Sequence, residues 1–227
     1  KNNFKSEFMK HMKNERKITV MGVIQEGIGV GLKNSLSLLG AIVLWILTIW
    51  IPYINVGTTI AIYTIPVALS KGKVISPTFI FDAKYRQYMG EFFTIIGLMM
   101  MSIFPAMLFM VIPAYVIAIG WSLAIYIMLD KGIAPGECLV RSNKATYGYK
   151  WTIFFISLVL CIIYYILIFL FALIPIIGII VNIALSLAYV AINLGCSAVI
   201  YKKLTVEASD KETIVPEPEA TITATEE

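Results

Sequence analysis

Residues 151–201 read WTIFFISLVLCIIYYILIFLFALIPIIGIIVNIALSLAYVAINLGCSAVIY, 51 positions without Asp, Glu, Lys, Arg or His. A helix needs about 20 apolar residues to cross a bilayer, within a range of roughly 17 to 25. The stretch is too long for one crossing and fits two. A turn is expected at Pro175 in IPIIG, because proline disfavours helix continuation and biases the residue before it away from the helical region. Two further uncharged stretches follow the same plan: residues 34–70, 37 long with Pro52, and residues 92–129, 38 long with Pro113. Pro66 and Pro105 also lie in apolar runs. They read as kinks, which neighbouring helices accommodate in a membrane.

The sequence therefore predicts an all-α polytopic membrane protein with six spans arranged as three hairpins, 34–70, 92–129 and 151–201, within a membrane domain of residues 34–201. Composition agrees. The chain has 227 residues, of which 59% are hydrophobic and 14% charged, with a mean hydropathy of +0.85; soluble domains carry about 25% charge. One soluble core could not hide that much apolar surface. Lys and Arg set the expected orientation. Seven lie in residues 1–33, four in 71–91, four in 130–150 and three after Tyr201, with none in the hairpin turns. An even number of crossings then places both termini in the cytoplasm. The three cysteines, Cys138, Cys161 and Cys196, form no CxxC pair and imply no disulfide framework. The first 17 residues are polar and basic, unlike a signal peptide.

The hairpins resemble repeats of one unit. Tyr63, Tyr126 and Tyr189 recur every 63 residues, each in the second half of its hairpin. Between hairpins, short interfacial helices are expected over about 76–91 and 134–149. Ser76–Pro77 and Ala134–Pro135 supply their starts. In the first, Phe81, Tyr85, Tyr88 and Phe92 would form one aromatic stripe with Lys84 and Arg86 on other faces. Residues 1–33 read as a basic amphipathic segment, with Phe4, Phe8 and Met12 on one face, suited to an anionic leaflet. The tail, 202–227, carries seven acidic residues after Thr205 and is expected to be disordered.

Chemistry is sparse. In the sixth span Asn182, Ser186, Tyr189, Asn193 and Ser197 recur at helical spacing and form one polar face. Such a face bonds neighbouring helices or walls a polar path. No ionisable Asp, Glu, Lys, Arg or His falls inside a span, which weighs against proton coupling and voltage sensing. Glu26, Asp82, Glu91, Asp130 and Glu137 occupy positions of solvated helix charges, and only His11 could assist them in acid–base work. The run GIGVG, residues 27–31, lacks the strand before it and the Lys-Ser/Thr after it that a phosphate loop needs, and Gly27 and Gly31 fit close helix packing better. No catalytic residue, metal ligand or cofactor site is expected. A net charge of +4 is explained by topology and gives nucleic-acid binding no support.

One motif carries a resemblance. Arg141-Ser142, Thr146, Gly148 and Trp151 are spaced R-S-x-x-x-T-x-G-x-x-W. This resembles a pattern in a large group of bacterial six-helix membrane proteins of unassigned function. It is similar to the membrane domain attached to some bacterial glycerophosphodiester phosphodiesterases, over roughly residues 18–203. The resemblance implies an all-helical fold in the bacterial inner membrane and no chemistry, since catalysis in those enzymes belongs to a separate soluble domain. In physical terms the motif reads as a joint, with Gly148 allowing a change of direction and Trp151 anchoring at the headgroup level. Arg141, Lys150, Lys84 and Arg86 are the expected headgroup contacts. The expected function is non-enzymatic: interaction with membrane lipids, or with a membrane or small-peptide partner. The alternative is a transporter or export component whose polar path the sixth span lines. A cytoplasmic-face enzyme using Glu26, Asp82 or Glu137 comes third.

Overall fold

The computed structural model describes residues 18–73, 75–174 and 177–206. The chain is an all-α polytopic membrane protein, with no strand among the described residues. Five of its helical stretches are long and apolar enough to cross a bilayer, and a sixth arises if one bent pair counts as a single span. The segment holding Phe4, Phe8 and Met12, the turn at Pro175 and the acidic tail beyond Val206 lie outside the described residues.

The bent pair is α1 (Val20–Lys33) and α2 (Ser35–Leu47), which meet at 74°. Asn34 marks the break: its side-chain amide donates to the Val30 carbonyl at 3.2 Å and competes with the backbone for it. With 13 residues, α2 is about 20 Å long and shorter than the expected first span. The helix α3 (Pro52–Ser70) starts with Pro52 at its first position, where the missing N–H would have had no partner. Polar bonds fix this hairpin. The Trp45 indole donates to Thr59 at 2.9 Å, and the Thr48 and Thr58 hydroxyls meet at 2.9 Å. In lipid an unpaired polar group costs several kcal/mol, so these bonds select one pairing of the two helices.

The second hairpin comprises α4 (Met89–Phe109), α5 (Val111–Gly120) and α6 (Ala124–Lys131). Its turn is the single extended residue Met110. Pro113 sits not in the turn but in the first turn of α5, where no N–H is needed. Gly132, at φ +62°, ends α6 in a left-handed cap. Then follow α7 (Pro135–Thr146), α8 (Lys150–Ala172) and α9 (Ile177–Tyr201), and a π-helical turn over Lys202–Val206.

The connectors depart most from expectation. Residues 76–91 do not form one α-helix. They form two 3-10 turns, Pro77–Phe81 and Ala83–Tyr88, parted by an extended Asp82 whose carboxylate accepts the Lys84 N–H at 3.1 Å. The aromatic stripe therefore does not form: Tyr85 and Phe92 are buried while Phe81 is exposed. This connector also folds back along the preceding hairpin. Pro77 abuts Gly40, and Arg86 packs on Gly57 with its guanidinium 6.0 Å from the centroid of the Tyr53 ring. Lys71 caps the opposite end of α3. The charged residues thus do not share one level along the bundle, as the sequence suggested. The next connector, α7, likewise runs back along α6 to Gly120.

The last inner helix, α9, is covered by α1. A Cβ on Gly31 would sit 2.5 Å from the Ala191 carbonyl, and one on Gly27 would sit 2.8 Å from the Cys196 backbone. Gly195 approaches both Gly27 and Gly31 in return. Gly27 and Gly31 of GIGVG serve this crossing, while Gly29 faces open space. Each of α3, α6 and α9 therefore has a connector or helix laid against it.

The three inner helices are pinned together near their charged ends. Lys71, which caps α3, pairs with Asp130 of α6, and the Tyr201 hydroxyl of α9 donates to the same carboxylate at 2.7 Å. Tyr126 contacts both Tyr63 and Tyr201, with ring centroids 6.5 Å and 6.1 Å away. Glu26 of α1 pairs with Lys203. Away from this layer the hairpins open. Among the described residues, no hydrophobic side chain is buried between Ile42 and Ile60, between Ile95 and Ala114, or between Leu160 and Ala191.

Candidate functional site

The motif at 141–151 lies where the packed layer meets the open hairpin ends. Ser142 and Thr146 are fully buried. The Ser142 hydroxyl donates to the Gly120 carbonyl at 2.7 Å and accepts the Leu123 N–H at 3.2 Å; Thr146 donates to the same carbonyl at 3.2 Å. These are the backbone groups freed where α5 breaks into α6. Serine and threonine in this motif therefore clip a broken helix to the connector beside it. Sequence reading treated them as part of a joint and missed this partner, because Gly120 lies 22 residues from Ser142.

After the clip, Gly148 adopts φ +84°, a left-handed conformation that suits glycine, and the chain turns into α8. This delivers Lys150 beside Gly120, where its ammonium donates to the Asn143 side-chain carbonyl at 2.9 Å. Trp151 comes next and is 73% exposed. Its ring meets Phe154 at 6.0 Å, and Phe154 meets Tyr115 of α5 at 5.9 Å, both edge to face. A groove of about 530 Å³ runs between α5 and α8 over this aromatic floor. Val111, Ile112, Val116 and Ile119 form one wall, while Tyr147, Gly148, Lys150 and Trp151 form the other. Its volume falls in the usual range for small-molecule sites, about 300–1,000 Å³. Among the described residues no carboxylate lines it.

Of the expected headgroup contacts, Lys150 and Trp151 meet at the groove and the others do not. Arg141 turns to Glu137 on its own helix, at 2.6 Å, an exposed pair worth about 0.5 kcal/mol or less. Lys84 pairs with Asp82 at 2.8 Å, and that hydrogen bond holds the Asp82 carboxyl below the usual carboxylate range. Arg86 lies against α3. Cys138, on the buried face of α7, has its thiol pushed up to about 11, by burial first and then by the nearby Glu137.

The polar face of α9 turns toward other helices. Ser186 bonds the Tyr164 hydroxyl of α8 at 3.0 Å, and Tyr189 stacks on Tyr164 with centroids 4.3 Å apart. Asn193 lies one turn beyond Tyr189 on α9 itself. Asn182 differs: its side-chain carbonyl is buried with no hydrogen-bond partner among the described residues. The carboxylates suggested for acid–base work are dispersed. Glu26, Asp82 and Glu137 pair with Lys203, Lys84 and Arg141, on three separate connecting elements.

No protein-family model, curated protein or solved structure matches this chain.

Proposed function

We propose that the protein is a non-enzymatic membrane module that works by holding lipid, or the membrane-embedded part of a partner, in the groove between α5 and α8. The groove itself carries this reading: an apolar trough in a polytopic membrane protein, with an aromatic floor and a cation and an indole at one wall. In the same proposal the protein belongs to a bacterial inner membrane with both termini in the cytoplasm, which the Lys and Arg residues outside the folded-back connector at 77–88 support. Kinship with the phosphodiesterase membrane domains belongs to it too, on the strength of the R-S-x-x-x-T-x-G-x-x-W spacing.

Filling the groove is the test. Ile119→Trp is expected to empty it of co-purifying lipid or partner, read by native mass spectrometry of detergent-purified protein, with the helical content unchanged. Undiminished retention in a folded variant overturns the reading.

Asn182 favours a second reading, transport along the polar face of α9. A buried amide carbonyl without a partner is costly to keep, and a passing polar solute would satisfy it. Flux into proteoliposomes that disappears in Asn182→Leu or Asn193→Leu, with the fold intact, would establish this reading, and flux unchanged in both would remove it.

A further inference from the structure

We infer that the groove selects phospholipids of net negative charge, with an acyl chain laid along the apolar wall of α5 and the phosphate at Lys150. The inference rests on the reading of the groove as a lipid site and adds its headgroup preference.

Charge is the first ground. Lys150 donates to a neutral amide, Asn143, rather than to a carboxylate. Among the described residues the groove lining contains this lysine and no acid. A phosphate set there gains a cation without displacing an existing ion pair. A zwitterionic headgroup would bring its own ammonium toward Lys150 and find no carboxylate among the described lining residues to receive it.

Position is the second ground. Val111, Ile112 and Val116, which line the trough, lie in or beside the part of the second hairpin where hydrophobic side chains stay unburied. Lys150 lies on the other side, next to the packed, polar connector α7. The trough therefore runs from an apolar region to a polar one, the polarity order of a lipid from tail to headgroup. Tyr147 and Trp151 flank the polar end, both more than 70% exposed, and amphipathic rings of this kind settle at the headgroup level. A peptide segment fits less well, because the walls offer few hydrogen-bonding groups for its backbone.

The test uses the full chain in mild detergent, offered an equimolar mixture of phosphatidylglycerol and phosphatidylcholine with identical acyl chains. Native mass spectrometry reads the ratio retained. The protein is expected to keep phosphatidylglycerol in excess. Lys150→Met is expected to lower that ratio about fivefold, the equivalent of the ~1 kcal/mol that one lysine contributes near an anionic surface. Lys150→Arg is expected to restore it, which separates lost charge from lost structure. Equal retention of the two lipids by the unaltered protein, or an unchanged ratio in Lys150→Met, overturns the inference. Ile119→Trp then tells the two levels apart. If it expels both lipids while Lys150→Met changes nothing, the groove holds lipid without headgroup selection. If it expels neither, the groove reading and the inference fall together.

Discussion

The two halves of each hairpin differ in what surrounds them. In the halves next to the charged segments, Ile65, Ile127, Ile156 and Tyr201 are all under 3% exposed and sit among connectors and neighbouring helices. In the far halves, Met101, Leu108, Phe169 and Ile180 are all more than 65% exposed. Isoleucine falls on both sides of this divide, at Ile65 and at Ile180, so hydrophobicity alone does not explain which side chains are buried. Lipid accepts an apolar side chain as readily as another helix does, and helices associate in a membrane through close packing and hydrogen bonds. The glycine crossing, the Ser142 clip and the Asp130 pin all belong to the packed half, and that is where the bundle closes.

This contrast can be broken in graded steps. The largest effect is expected at the glycine crossing. Gly195→Leu forces a side chain into the backbone of α1 and should cost about 3 kcal/mol or more, seen as a collapsed melting transition in detergent and a shift in size-exclusion profile. A chemical probe follows. With its thiol pushed up to about 11 from 9.0, Cys138 holds about a hundredfold less thiolate at pH 8 than an ordinary cysteine. A permeant maleimide should leave it unmodified in the folded protein, with labelling rising only as the pH approaches that value or the fold opens. Asp130→Asn removes the carboxylate shared by Lys71 and Tyr201 and should cost about 2 kcal/mol in unfolding by a denaturing detergent. Ser142→Ala leaves the Leu123 N–H without its acceptor, for about 1–2 kcal/mol in the same titration. The smallest change is expected in the open half. Met101→Ala should stay within about 0.5 kcal/mol, and a loss as large as that of Asp130→Asn would show that the far halves are packed after all.

The sequence made some of this legible and left the rest hidden for physical reasons. Charge-free stretches reveal spans because burying a charge in lipid is costly wherever it occurs. Pro52 marked its turn because proline acts through its own backbone. Gly27 and Gly31 were readable as packing residues, though their partner Gly195 was not. The connectors were misread because nothing local distinguishes a segment lying flat at an interface from one folded back along a helix. Arg86 beside Tyr53 is a tertiary choice. The groove was half legible: Lys150 and Trp151 stand out by type, but the wall from α5 reaches them only through the break at Gly120, which gave no sign in the sequence.

The glycine crossing also bears on the order in which the protein is made. The Val23 carbonyl of α1 meets the Cys196 thiol at 3.8 Å across 173 residues of chain. At a synthesis rate of about 5–20 residues per second, α1 waits roughly 9–35 s for the helix that covers it. During that interval the glycine face of α1 lacks the mate it has in the folded chain, so this contact can close only after α9 has been made.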